Sequence, residues 1–250
     1  MLKGCRYMSV DRVQSYMSTG FDQVPGWCSR IFVEIMGHLG EEMTEAGVVG
    51  GVCEIGVYQG KFFIGLTHAV DGRPSLAVDL FDDQSENIDN SGGGRKDMLA
   101  GFRENVAKYG YPTVDDMKAN SFALTVRDQI KILDHYGPFQ FFSIDGGHMA
   151  EHVVNDYRFA EVVTHHGGAI IIDDIHNPGW PGVMEGVAHL FIGQKPKFVP
   201  LLIGQNKLVL AGLAYHKRYL RAMLDRIKAQ FPQQNVWVTR LFGYEMLSLV

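Results

Sequence analysis

Between Phe21 and Glu45 apolar residues recur at helical spacing, among them Ile31, Phe32, Ile35, Met36 and Leu39, and Pro25-Gly26 marks a break just ahead. This predicts a helical preface over residues 1–46. A short apolar run from Val48 to Ile55 then ends in a turn carrying Gly56 and Gly60, and helical patterning resumes from Lys61 to Val70. The alternation continues with a strand over Ser75 to Phe81 and helices over Met98 to Tyr109 and Ala123 to His135. Phe139 to Ile144 and Gly168 to Ile172 are apolar throughout, as central parallel strands covered on both faces are, and the helical stretch Ala150 to Val163 separates them. Phe198 to Ile203 and Lys207 to Ala211 are joined only by Gly204, Gln205 and Asn206, which permits an antiparallel hairpin but no parallel crossover. Tyr215 to Gln230 reads as a basic amphipathic helix, and Val236 to Val250 as an apolar tail.

The pattern predicts an α/β fold: a doubly wound, mostly parallel, seven-stranded Rossmann-like sheet that ends in an antiparallel hairpin and carries helices on both faces. One compact unit is expected, with the preface 1–46, a ligand-binding domain 47–212 and a helical extension 213–250. With 46% hydrophobic and 20% charged residues, the chain has the material for a substantial core. A formal net charge of -5 without a clustered Lys/Arg stripe argues against nucleic acid as a partner. No apolar stretch has the length of a membrane span, and Met1 to Ser9 lacks the apolar run of a secretory signal. Cys5, Cys28 and Cys53 form no close pair, so a reducing cytoplasm fits best. A homo-oligomer is compatible with the sequence, which does not set the number of subunits.

In such sheets ligands bind beyond the carboxyl ends of the strands. The turn Glu54-Ile55-Gly56-Val57-Tyr58-Gln59-Gly60 stands at such an end, and Asp79 closes the next strand about 20 residues later, where a ribose-binding acid is expected. The glycine turn alone fits an ordinary strand-to-helix connection equally well; with Asp79 it outlines a nucleoside site. The spacing is not that of the dinucleotide fingerprint.

The sequence E-x-G-x-x-x-G followed by a strand ending in Asp resembles the first two motifs of class I S-adenosylmethionine-dependent methyltransferases, over about Gly26 to Ala211. The resemblance implies that residues 47–212 bind S-adenosylmethionine, with Glu54, Gly56, Tyr58 and Gly60 around the methionine moiety and Asp79 on the ribose. It also implies that Asn120 and Ser121, after a fourth strand, lie beside the adenine; a polar turn capping the helix near Phe122 would account for them as well.

Two further apolar strands end in acid: Asp145, followed by Gly146, Gly147 and His148, and the pair Asp173-Asp174. On adjacent parallel strands these carboxylates emerge at one edge, where they repel unless protonated or bound to a cation. Hard oxygen donors suit Mg²⁺, or Mn²⁺, held by Asp145, Asp173 and Asp174. His148 stands in a glycine loop, where a neutral imidazole is placed to take a proton. His165 and His166 are expected to end a helix. His176 and Trp180 fit either a substrate pocket or loop packing.

This half resembles the metal-dependent O-methyltransferases, both the small catechol-type enzymes and the macrocin O-methyltransferase-like enzymes of antibiotic and sugar tailoring. The catechol-type pattern has Asp-Asn at Asp173-Asp174 and a lysine at His148; two acids and a histidine match the sugar-modifying group better. The implied activity is metal-dependent methylation of a hydroxyl on a sugar or other vicinal diol in a small molecule. A catechol or phenol acceptor, or a cofactor-binding subunit without catalysis, is the alternative. Asp82 to Lys96, polar and glycine-rich, is the best candidate for a lid over the acceptor.

Overall fold

A computed structural model describes residues 8–87, 89 and 96–250; Cys5 and residues 88 and 90–95 of the expected lid lie outside the described residues. Helices α1 (Met8–Thr19) and α2 (Arg30–Glu45) precede strand β1 (Val52–Ile55), α3 (Lys61–Ala69), β2 (Ser75–Asp79), α4 (Met98–Tyr109) and β3 (Val114–Lys118). Then follow α5 (Val126–Tyr136), β4 (Phe139–Ile144), α6 (Ala150–Val163), β5 (Thr164–Ile172), α7 (Pro181–Phe191), β6 (Phe198–Gly204), β7 (Lys207–Gly212), α8 (His216–Gln230), β8 (Val236–Leu241) and β9 (Tyr244–Leu249).

All strands join one sheet in the order β3-β2-β1-β4-β5-β7-β6-β9-β8. Strands β1 to β5 are mutually parallel, and β7 runs antiparallel to both β5 and β6. The chain travels outward from β1 to β3 and returns on the other side of β1 with β4, which opens a crevice between the ends of β1 and β4.

The apolar runs of the central strands are divided between two cores by the period of the pleat. Phe141, Ala169, Ile171 and Val209 pack with α1, α2, α3 and α8, whereas Phe142, Ile170, Ile172 and Leu208 pack with α5, α6 and α7. Burial on both faces is why these strands show no polar alternation in the sequence.

Three expectations are corrected. The sheet has nine strands, because Val236–Leu241 and Tyr244–Leu249 form a hairpin that continues the seven expected; the segment 213–250 is therefore a helix followed by two strands. The strand preceding Asn120 is the third in the chain, Val114–Lys118, a weakly apolar edge strand. His165 and His166 lie in β5 rather than at a helix end, their rings stacked 4.3 Å apart.

Candidate active site

Because β1, β2, β4 and β5 are parallel, Gly56, Asp79, Asp145 and Asp173-Asp174 all leave the sheet at the same edge. Gly56 has φ 86°, and a Cβ there would collide with the Asp145 carbonyl, so only glycine allows the two strand ends to close on each other. Tyr58 (φ 51°) and Gly60 (φ 89°) complete a turn that wraps the first turn of α3.

Asp79 is fixed by this turn: its carboxylate accepts the Tyr58 N–H at 2.9 Å and the Phe81 N–H at 2.7 Å. Burial raises its pKa, and these backbone donors offset part of the rise. Each oxygen retains a lone pair for a further donor. Glu54, inside β1, accepts the Ser143 hydroxyl at 2.9 Å through Oε1, while Oε2 is buried without a partner. Burial pushes the Glu54 carboxyl up to about 8, with the Ser143 bond and Lys207 opposing the shift. An orphaned carboxylate oxygen beside a glycine turn fits the ammonium group of an amino-acid moiety. At the opposite wall Asn120 accepts the Phe122 N–H and donates to Glu86 at 2.7 Å, and the Ser121 carbonyl accepts from Asn155. Both roles foreseen for this pair are compatible with that arrangement: Asn120 caps a single 3-10 turn, and both residues line the pocket.

The acids beyond β4 and β5 divide their work. Ligand atoms of Asp145, His148 and Asp174 lie within 4.8 Å of one another. Asp173 points instead to Lys207, with which it forms a tight ion pair, and its other oxygen accepts the Asp174 N–H at 2.8 Å. Asp174 (φ 60°) accepts Asn177 at 2.9 Å and Asn206 at 2.6 Å, and meets His148 Nε2 at 3.1 Å. Asp89 holds the other side of His148, 2.7 Å from Nδ1, and Trp180 stacks on the imidazole at 4.4 Å. His176 is exposed and takes no part in the pocket wall, whereas Trp180 does.

The charges follow this geometry. Burial, and then Asp173, hold the Asp145 pKa well above the usual carboxylate range, so this group gains from a nearby cation. Burial disfavours charge on His148, but its bonds to Asp174 and Asp89 outweigh that and raise its pKa. Burial would also raise Asp174; the His148 and Asn177 bonds reverse this and lower it. Lys207 is 2% exposed, and Asp173 and Asp145 keep it cationic against the effect of burial. Lys207, Asn206 and Asp89 were not foreseen. Asn206 and Asp89 are ordinary polar residues in turns and Lys207 opens a strand, and the partner of each lies more than thirty residues away in the sequence.

These groups line one cavity of ≈ 1050 Å³, large enough for a nucleoside-sized ligand and a second small molecule together. Among the described residues no helix is long and apolar enough to cross a membrane.

Residues 53–175 match a family described as a methyltransferase domain. No curated protein sequence matches the chain. Among solved structures, the O-methyltransferase NovP superposes with a TM-score of 0.56 at 16% identity, covering 75% of this chain and 83% of that one. CalS11, a calicheamicin methyltransferase, gives 0.55 at 15% identity over 81% of this chain and 91% of its own. An O-methyltransferase from Bacillus cereus in complex with SAH gives 0.50 at 14% identity over 84% and 93%. The matched stretch, 53–175, contains the glycine turn and Asp79 on which the resemblance to S-adenosylmethionine-dependent methyltransferases rests, as well as Asp145 and Asp173-Asp174, and the solved O-methyltransferases share the fold.

Proposed function

We propose that the chain transfers the methyl group to a hydroxyl of a sugar or other vicinal diol in a small molecule, and that it does so with Mg²⁺ or Mn²⁺. The observation that carries this reading is the grouping of Asp145, His148 and Asp174 within 4.8 Å, across the Gly56 backbone contact from the turn that receives the cofactor. Two carboxylates and an imidazole fit a hard divalent ion, and Asp145, whose pKa burial and then the neighbouring Asp173 raise, gains from such a charge beside it. Asp145 and Asp174 would hold it, with Asp173 adding its charge from behind, tempered by Lys207. When bound, a divalent ion lowers the pKa of a coordinated hydroxyl and orients it.

The chain's own side chains supply the rest. Glu54 and Asp79 fix the two ends of the cofactor, and Trp180 holds the imidazole plane of His148. Asp89 engages Nδ1 and so orients the ring, and Nε2, which faces Asp174 at 3.1 Å, would take the acceptor's proton once Asp174 turns to the ion. CalS11, whose fold is similar, is described as a TDP-rhamnose 3'-O-methyltransferase.

The test uses methyl-labelled S-adenosylmethionine with a panel of glycosides and catechols. Chelator is expected to abolish transfer, and Mg²⁺ or Mn²⁺ to restore it; full activity in chelator overturns the metal. His148→Ala is expected to lower kcat about a hundred-fold with cofactor affinity unchanged. Wild-type kcat in that variant would remove His148 from the proton's path.

A further inference from the structure

The charge of the cavity wall says more about the acceptor than its shape does. Eight acidic side chains line it against two lysines and no arginine, among the described residues. Both lysines and the histidine of the cluster already face a partner. Lys207 is buried against Asp173. His148 lies between Asp89 and Asp174. Lys61 sits with its ammonium 4.7 Å from the centroid of the Phe21 ring, on the cofactor side next to Gly26. A divalent ion and the cofactor's own positive groups are matched by Asp145, Asp174 and Glu54. Glu86 and Glu151 are left at the exposed rim, where they give the entrance a negative potential.

The apolar part of the wall is aromatic. Trp27 is 73% exposed and stacks on Tyr58 at 5.5 Å, and Trp180 stands across the cavity on His148. Such rings offer broad faces for the C–H surface of a sugar or for an aromatic group attached to it.

Resting on the reading of the site as one for diol methylation, we infer that the acceptor carries no anionic group: it is a neutral or cationic glycoside, or an amino sugar. A phosphorylated, nucleoside-diphosphate-linked or coenzyme A-linked acceptor would bring two or more negative charges to a wall where, among the described residues, eight acids already outnumber two lysines. In this the chain differs from CalS11, whose description names a TDP-linked sugar.

The test compares matched acceptors that differ only in charge: an aryl glycoside, its amino-sugar counterpart and its sugar-phosphate counterpart, and likewise 4-methylcatechol, dopamine and 3,4-dihydroxybenzoate. The anionic member of each set is expected to show a KM at least about ten-fold above its neutral partner, with the gap narrowing as salt is raised. Glu151→Gln and Glu86→Gln are each expected to narrow it roughly two- to five-fold. An anionic acceptor used as well as its neutral partner overturns the inference. If no member is methylated, the O-methylation reading fails instead. Calorimetry of the same compounds on the protein saturated with S-adenosylhomocysteine then decides the charge preference alone: equal or tighter binding of the anions overturns it, and the neutral-over-anionic order sustains it.

Discussion

Asp156 lies wholly inside the protein on α6, where Asn155 donates to one carboxylate oxygen and the other has no partner. Burial pushes its pKa up to about 6, against partial compensation by Asn155 and Ser121. Between its ordinary value near 4 and about 6 the folded state therefore holds a proton that the unfolded chain has lost, so this residue's contribution to stability falls as pH rises through that window. Asp156→Asn removes the dependence. Its stability relative to wild type is expected to be lowest at pH 4 and to improve by about 2–3 kcal/mol on going to pH 7. Urea unfolding of both proteins at the two pH values checks this, and a difference that stays constant with pH overturns it.

At the scale of elements, the C-terminal hairpin is integral to the sheet. Strand β9 pairs with β6 and buries Met246, Leu247 and Leu249, each worth about 1.5–3 kcal/mol, and it covers what would otherwise be an open strand edge. Truncation after Gln230 is expected to lower Tm and to yield aggregates by light scattering; a monomeric product with wild-type Tm would show the hairpin to be dispensable. The sequence was a poor guide to this element because β8, the outermost strand, leaves Trp237 and Val238 exposed, so its apolar residues do not alternate with a core. Strand β3 was hidden for a related reason: Val-Asp-Asp-Met-Lys has no apolar run, and only its register with β2 makes it a strand. By contrast, β4 and α6 were legible to the residue, since a strand buried on both faces and a helix with one apolar face carry their environment in their composition. In the site, the glycine turn and the acid pairs were legible as local patterns. The division of labour among the acids was not, because it is set by Lys207 and Asp89, which reach them only through the fold.

For the molecule as a whole, the cavity draws on both halves of the winding: β1 and β2 present Glu54 and Asp79, and β4 and β5 present Asp145 and Asp174. A ligand spanning it ties the halves together and stabilises only the folded state. S-adenosylhomocysteine at a hundred times its Kd is expected to add about 2.7 kcal/mol to the unfolding free energy, visible as a rise in Tm. In Asp79→Ala, at the same ligand concentration, most of that rise is expected to vanish. A full rise in that variant would move the ribose contact elsewhere.

The turn between β6 and β7 consists of Gln205 and Asn206, both at positive φ, as a two-residue hairpin of the primed type requires. In an all-parallel sheet only the last residues of strands arrive at the catalytic edge. The reversal of β7 delivers the opening of a strand there: Asn206 reaches Asp174, and Lys207 reaches Asp173. Two consecutive positions thus act as a trimmer on neighbouring acids, one by hydrogen bonding and one by charge. Variation confined to these two positions would retune the charge and hydrogen bonding of the acid cluster while every strand, and the glycine turn across the crevice, stayed where it is.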